Sequence, residues 1–315
     1  MNERIQTWLR VSAIGGAVLW EIGFFIQNST IPETELINKI LLLGVLVIVP
    51  LGLAAASRGR AEQNSLSFRA AAYAQPFGAL AVVVSFLLQQ GTVAAVLALA
   101  WLAVTGLIAM HGLLRLFDRE RRTFPEVVIS AGFVFLSVGG GWLVMSRLGA
   151  QPLGFGDTIV LLTAVHFHFA GFAAPVLTGL AGRSLAVDSL RVSPLVLIVG
   201  CCVIAGTPLV AVGITLSPSV GLGGTLVISI GLLLLAVIVI GRVVPKLQQR
   251  SVQLLLIISS VSPFVSMTLA AAYAYSIVAK KLIIDIPQMA LVHGMVNAFG
   301  FALCGLLAWS ILRSD

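Results

Sequence analysis

Apolar runs separated by short polar breaks extend from one end of the chain to the other. Runs of about 18 or more apolar residues predict transmembrane helices, because about 20 helical residues cross the hydrocarbon core of a bilayer. The sequence contains about ten such spans, over residues 8–27, 36–56, 68–88, 93–116, 124–146, 156–180, 192–217, 221–243, 250–274 and 287–312. We therefore predict an all-α fold, a polytopic transmembrane helix bundle that occupies residues 1–315 as a single domain, with no soluble domain.

The amino-acid composition supports this prediction. Of the 315 residues, 59% are hydrophobic and 10% are charged, and the mean hydropathy is +1.07. Soluble domains contain about 25% charged residues, so an ordinary soluble enzyme is excluded. Arg4 and Arg10 precede the first apolar run, as they would in a signal peptide. That run contains Glu21 and lacks a small-residue cleavage site, which favours a retained first helix.

The distribution of basic residues predicts the orientation of the helices. The net charge is +7, and the basic residues lie in the breaks between spans rather than in a patch for nucleic acid, so no nucleic-acid partner is predicted. If the N-terminus is cytoplasmic, 15 of the 19 Lys and Arg residues fall on the cytoplasmic side. The other side receives Lys39, Arg147, Lys280 and Lys281. Ten crossings with cytoplasmic N- and C-termini account for this excess.

Two histidines lie near the middle of the sixth span. Ionisable groups are costly inside hydrocarbon, so His166 and His168 are candidate functional residues. Positions i and i+2 of an α-helix differ by about 200°, so the two rings point to nearly opposite faces. On an unbroken helix they cannot both bind one metal ion. We predict that one of them faces a site while the other bonds a neighbouring helix.

The tenth span adds a second polar group at a similar depth. His293 and Asn297 are one helical turn apart and therefore share a face. At about 1.5 Å per residue, His166 and Asn297 lie at similar depths, and His293 lies one turn away. Glu21, about midway along the first span, is expected to be protonated or paired because hydrocarbon disfavours its charge. This shared depth predicts a site with His166, His168, His293, Asn297 and Glu21 as catalytic residues, and Trp20, Phe169, Phe172, Phe299 and Trp142 as substrate-binding aromatic residues.

Both histidine-containing blocks resemble the signature of the YndJ-like family of bacterial membrane proteins. The first is LTAVHFHFAGF over Leu162–Phe172, and the second is HGMVNAFGF over His293–Phe301. The segment at Trp142, which follows Gly139–Gly141, also resembles the family. The resemblance covers most of the chain and implies a multi-pass protein of the bacterial cell (inner) membrane, but it implies no particular activity.

A membrane-embedded enzyme is the preferred function. Histidine and a protonated carboxyl group can exchange protons with a lipid-soluble substrate, and aromatic faces can stabilise a developing cation. Acid–base isomerisation or cyclisation of an isoprenoid-type lipid fits these residues. Metal-assisted chemistry is another form of the enzyme hypothesis, because imidazole and carboxylate bind Zn or Fe. A haem between two histidines is less favoured, and the sequence assigns no metal ligands.

Two other functions remain open from the sequence. A secondary transporter of a small molecule would also place a His/Glu layer near the middle of the membrane, as its substrate or proton site. A hydrophilic solute needs a polar path on both sides, however, and spans two, seven and eight contain almost no polar side chains. The third possibility is an assembly protein whose histidines only hold helices together. The expected partners are the lipid bilayer and a lipid-soluble or small-molecule ligand, and the sequence does not fix an oligomeric state.

Overall fold

The computed structural model of the protein describes residues 2–26, 33–57, 65–118, 123–186 and 193–312. These residues form helices and connecting segments, with no strand among them. Ten long helices follow one another, each within a few residues of a predicted span. They are α1 (Asn2–Ile26), α2 (Glu33–Leu43 continued by Gly44–Ile48 and Val49–Ala56), α3 (Leu66–Leu87), α4 (Thr92–Phe117), α5 (Phe124–Leu148), α6 (Asp157–Leu185), α7 (Pro194–Leu216), α8 (Pro218–Lys246), α9 (Arg250–Val278) and α10 (Ile286–Ile311). The predicted all-α polytopic fold is confirmed.

The first helix differs from the other nine in composition. Within the described ranges, nine helices, α2 to α10, are long and apolar enough to cross a membrane. Helix α1 carries Arg10 and Glu21 and is not among them. It nevertheless lies antiparallel along α2. The indole nitrogen of Trp20 donates to the Lys39 carbonyl oxygen at 2.7 Å, and Gly16 lies against Leu46.

The orientation of the bundle stays a prediction. Several of the arginines that support it lie outside the described residues, namely Arg58, Arg60, Arg119, Arg121, Arg122, Arg191 and Arg313. Among the residues counted on the opposite side, Arg147 has a structural role at the end of α3. Its guanidinium group donates to the carbonyl oxygens of Ser85 and Leu88 at 3.0 and 2.8 Å. A cation at a helix C-terminus is favourable because the helix dipole is negative there.

Contacts divide the chain into two compact units. The first comprises Met1–Glu120 and Ser130–Ala173, and the second comprises Arg121–Ile129 and Ala174–Asp315. The divisions therefore fall inside α5 and α6. A contact-based division does not show that either part folds alone, so the single transmembrane domain predicted from the sequence stays a prediction.

Several helices contain π-helical turns, which the sequence pattern did not predict. In the described residues these turns cover Gly44–Ile48 of α2, Phe169–Ala173 of α6, Val239–Val243 of α8 and two segments of α10, Met289–Gly294 and Val296–Leu303. Turns of this kind are rare and are frequent at functional sites. The two segments of α10 contain His293 and Asn297, so this helix is irregular at the predicted site.

Candidate functional site

Three side chains of the second unit form a hydrogen-bonded group, which we call the His293 network (Ser266, Asn297 and His293). The hydroxyl group of Ser266 on α9 donates to Asn297 Oδ1 at 2.9 Å. The Asn297 amide nitrogen lies 3.2 Å from His293 Nε2 and 3.4 Å from His293 Nδ1. The Nδ1 atom of His293 lies 2.8 Å from the carbonyl oxygen of Ser266. Ser266 therefore contacts both His293 and Asn297.

The partners in this network fix the neutral form of His293. A carbonyl oxygen can only accept, so the Nδ1 atom that faces the Ser266 carbonyl carries the proton. The neutral imidazole then has its lone pair on Nε2. Since Ser266 donates to the oxygen of the Asn297 amide, the amide NH₂ group is turned toward the imidazole ring, where its nitrogen lies at nearly equal distances from Nε2 and Nδ1. The one-turn spacing of His293 and Asn297 brings the two side chains into this contact.

The helices that carry the His293 network are mostly apolar. Ser266 is fully buried, while His293 and Asn297 are half-buried. Nearby side chains on the same two helices are apolar and exposed, including Val265 (50%) and Leu291 (59%). No Asp, Glu, Lys or Arg occurs over residues 251–278 or 286–311. The imidazole is thus accessible from an apolar surface, in two helices that carry no charge beyond Arg250.

The direction of the Ser266 hydrogen bond differs from the one that a nucleophilic serine would make. A serine nucleophile must donate its proton to the histidine that activates it. The Ser266 hydroxyl instead donates to Asn297 and is fully buried. Its observed contacts are with the other two residues of the network, Asn297 and His293.

Two further serines continue the contact between α9 and α10. Ser259 donates to the Phe301 carbonyl oxygen at 2.7 Å, and Ser262 faces Gly300. Together with Ser266 they occupy one face of α9. A cavity of about 20 Å³, lined in part by Ser259, Ser260 and Pro263, lies beside this face. A space of this size holds about one water molecule.

The first unit places His168 in a closed environment. Its Nδ1 atom donates to the Ala164 carbonyl oxygen at 2.8 Å, and its Nε2 atom accepts from the Trp101 indole nitrogen at 2.9 Å. Both side chains are fully buried, and their rings lie within 15° of parallel. A carbon atom added to Gly139 would lie 2.9 Å from His168 Nδ1. Both ring nitrogens of His168 therefore form hydrogen bonds.

His166 has the opposite environment, as the spacing of the two histidines predicts. It is exposed, and its Nδ1 atom lies 2.7 Å from the Leu162 carbonyl oxygen. The lone pair of the neutral ring is therefore on Nε2. Within the described part of the chain, no hydrogen bond joins that atom to another residue. Of the two histidines in this motif, His166 is the one with an accessible nitrogen.

The remaining predicted residues differ in burial and in their contacts. Glu21 is exposed on α1, and Trp20 is half-buried and bonded to the Lys39 carbonyl. Trp142 and Phe299 are half-buried. Phe169 is 8% exposed, and Phe172 is fully buried with its ring stacked on Phe133. Glu21, His166 and His168 belong to the first unit, whereas His293 and Asn297 belong to the second.

Among the residues that the structure describes, no group of three or more His, Cys, Asp or Glu side chains is arranged to hold a metal ion. The single-metal arrangement considered from the sequence would need such a group. The His293 network itself offers one imidazole, one amide and one hydroxyl group, which suit proton transfer and hydrogen bonding better than metal binding.

The structure contains two ion pairs that the sequence analysis did not predict. Lys39, counted above only as a topology signal, is buried in α2, and its Nζ atom lies 3.1 Å from Glu35 Oε1. Arg183 and Glu126 form a buried bidentate pair in the second unit, at 2.6 Å for Nε–Oε1 and 2.5 Å for Nη2–Oε2. The arginine partner of Glu126 lies on another helix, 57 residues away, so the local sequence gives no signal of this pair.

We expect replacement of Trp101 by phenylalanine to lower the free energy of unfolding. The change removes the donor to His168 Nε2 and leaves a buried acceptor unsatisfied, which costs about 1–3 kcal/mol. Thermal unfolding in detergent should show the loss. Trp142→Phe is the control, because Trp142 is half-buried and its ring contacts Phe155 in a tilted arrangement, with 6.2 Å between the ring centroids. Equal unfolding temperatures for the two variants would contradict a stabilising role of the Trp101–His168 bond.

Comparison with known proteins identifies the class of this membrane protein. The family model of the YndJ-like proteins matches residues 39–301, and the chain belongs to that family. It is 26% identical over 292 residues to a Bacillus subtilis (strain 168) protein named "Uncharacterized membrane protein YndJ". The match covers 92% of this chain and 51% of the relative, so the chain spans about half the length of that curated relative. No solved structure matches the chain.

Proposed function

We propose that the protein is an enzyme of the bacterial cell membrane that transfers protons to and from a lipid-soluble substrate. His293 is the acid–base group, and Asn297 and Ser266 orient it. The observation that carries this proposal is the hydrogen bond to the Ser266 carbonyl oxygen, which fixes the proton of a half-buried imidazole on Nδ1 inside uncharged helices. A histidine whose tautomer is fixed by a carbonyl partner presents a defined lone pair for proton transfer.

The surroundings of the network favour a lipid-soluble substrate. A hydrophilic solute would have to cross α9 and α10 past side chains that carry no charge over residues 251–278 and 286–311. A lipid can instead approach along the exposed apolar side chains of the same helices, such as Val265 and Val292. An isoprenoid-type lipid fits this reasoning, since proton addition to a double bond needs an acid in an apolar site.

The other predicted residues take different roles in this proposal. We assign His168 to the structure of the first unit, because its side chain is fully buried and each ring nitrogen forms a short hydrogen bond, to the Ala164 carbonyl and from the Trp101 indole. His166 and Glu21 are exposed and stay candidates for a separate contact with substrate. The buried Phe169 and Phe172 are left out of the substrate contacts for lack of accessible surface.

A secondary transporter is the second candidate, and one observation favours it. Helix α9 contains Pro263, and α10 is π-helical over Met289–Gly294 and Val296–Leu303. Irregular helices near the middle of the membrane often form the substrate and proton sites of transporters. In that case His293 would carry a transported proton rather than one exchanged with a substrate.

The enzyme proposal is tested by comparing membrane lipids. Bacterial cells that express equal amounts of the wild-type chain, His293→Gln or Ser262→Ala are extracted, and their lipids are compared by mass spectrometry with those of cells carrying the empty vector. We expect the wild-type chain to convert at least one lipid. Loss of an acid–base group lowers turnover by about 10²–10⁴-fold, so His293→Gln should abolish the change. Ser262→Ala is the control, because this hydroxyl donates only to the Ile258 carbonyl.

Two results would contradict the proposal. A lipid change that persists in His293→Gln would remove this residue from the chemistry. An unchanged lipid profile, together with His293-dependent proton flux into reconstituted vesicles, would replace the enzyme by the transporter.

A further inference from the structure

The hydroxyl group of Ser260 differs from those of the other buried serines of α9. Ser259 and Ser266 donate across to α10, while Ser262 and Ser276 donate to carbonyl oxygens of their own helix. Ser260 is 4% exposed, yet its hydroxyl group forms no hydrogen bond to any residue that the structure describes. A buried hydroxyl group costs free energy unless something bonds to it, so its surroundings should contain a partner.

Ser260 lies on the wall of the cavity beside α9. The cavity has a volume of about 20 Å³, and its lining comes from α6, α8, α9 and α10, all within the second unit. Ser259 and Pro263 also line it. Proline has no N–H group, so the Ser259 carbonyl oxygen, four residues earlier, lacks the donor that a regular helix would supply. The α9 side of the cavity is therefore formed by residues with an unpartnered hydroxyl group and a carbonyl oxygen without its usual donor.

The two neighbouring helices are also irregular where they reach this cavity. On α8 the lining residue Val239 begins the π-helical turn Val239–Val243, and on α10 the lining residue Phe301 belongs to the π-helical segment Val296–Leu303. The Phe301 carbonyl oxygen accepts from the Ser259 hydroxyl group. π-Helical turns are frequent at functional sites, and here two of them and a proline meet at one cavity.

We propose that this cavity is a binding site for one water molecule, which donates to the Ser259 carbonyl oxygen and forms a second hydrogen bond with the Ser260 hydroxyl group. A space of about 20 Å³ accommodates one water molecule, and a buried water typically needs two to four polar partners. The end of a lipid acyl chain is the alternative occupant. It would leave both oxygens of α9 without a partner, which disfavours it.

The bound water completes the hydrogen bonding of α9 where Pro263 interrupts it. It replaces the missing backbone donor for the Ser259 carbonyl oxygen, and the same serine reaches α10 through its hydroxyl group. The water is thus part of the contact between α9 and α10. This inference does not depend on the proposed function, because it involves neither His293 nor Asn297.

The first experiment determines what occupies the cavity. The wild-type chain, Ser260→Ala, Ala236→Val and Ser262→Ala are crystallised in a lipidic mesophase and compared at a resolution that shows ordered water. A bound water gives an isolated peak of electron density at about 2.5–3.0 Å from Ser260 Oγ and from the Ser259 carbonyl oxygen. An acyl chain gives elongated density beyond hydrogen-bond distance of both oxygens.

We expect the isolated peak in the wild-type protein and in Ser262→Ala, whose hydroxyl group donates only to the Ile258 carbonyl oxygen. The peak should be lost in Ser260→Ala, which removes one of the two partners of the water. It should also be lost in Ala236→Val, because the added methyl groups fill the cavity from α8. Acyl-chain density or an empty cavity in the wild-type protein would overturn the proposal, and so would an unchanged peak in Ser260→Ala.

The second experiment tests the hydrogen bond to Ser260 in lipid bilayers, without crystals. Removal of a hydroxyl group that has no partner should raise the unfolding temperature, because a buried unpaired group is lost. Removal of a hydroxyl group that bonds to water should lower the unfolding temperature, because the water loses a partner. We expect a lower unfolding temperature for Ser260→Ala than for the wild type. An equal or higher unfolding temperature would contradict the proposed water site.

Discussion

Replacing Glu126 by glutamine is expected to lower the free energy of unfolding by about 3–5 kcal/mol, because it leaves the buried charge of Arg183 without its carboxylate. Both side chains are largely buried, with exposures of 7% for Glu126 and 11% for Arg183. The pair is bidentate and joins the first turn of α5 to the last turn of α6. Steric trapping in mixed micelles would measure the change in free energy.

Two further variants serve as controls for the Glu126 experiment. The double variant Glu126→Gln/Arg183→Met removes both charges of the pair and should recover much of the lost stability. Asp157→Asn is the exposed control, because Asp157 is bonded only to Gln151 at 3.0 Å on the surface, and it should change stability by less than about 0.5 kcal/mol. If Glu126→Gln matched Asp157→Asn, the buried pair would have no stabilising role.

Gly16→Ala is expected to separate α1 from α2. A carbon atom added to Gly16 would overlap the carbonyl oxygen and carbon of Leu46. Backbone atoms cannot turn away as a flexible side chain can, and overpacking of this kind costs about 1–3 kcal/mol. The expected result is a lower unfolding temperature, together with increased accessibility of a cysteine introduced at Leu46 to a thiol reagent.

The adjacent residue provides a matched control for the Gly16 variant. An added carbon atom at Gly15 has no neighbour within 4 Å. The Gly15→Ala variant adds the same methyl group to the same helix. Any difference between the two variants therefore comes from the contact with α2. Identical unfolding of both proteins would show that α1 does not pack closely on Leu46.

The sequence predicted the fold well because hydrophobic run length depends only on local composition. It also paired His293 with Asn297 correctly, since positions one turn apart share a face on any helix. It could not find Ser266, which reaches Asn297 from another helix, 31 residues away. For the same reason, nothing in the His166–His168 motif indicated Trp101 as the partner of His168, 67 residues away. The periodicity of the sequence shows which residues share one face of a helix. It does not show which helix faces pack against each other.

The prediction of one common layer for the polar residues rested on depth alone. Depth follows from counting residues along straight helices. Neighbour relations also depend on how helices are arranged around one another, and on π-helical turns such as Phe169–Ala173, which change the residue count per turn. The sequence therefore identified individual polar residues, while the contacts that distinguish bonded His168 from exposed His166 required the fold.

The number of membrane crossings that precede α10 would set the leaflet from which His293 is reached. Each additional membrane crossing places the start of every later helix on the opposite side of the membrane. With α1 counted as a crossing and a cytoplasmic N-terminus, α10 begins at Ile286 on the outer side, where the basic residues are few. His293 lies about two turns into that helix. In this predicted orientation, and if His293 is the proposed acid–base group, a lipid made in the cytoplasm would have to be moved to the outer leaflet before it met the imidazole.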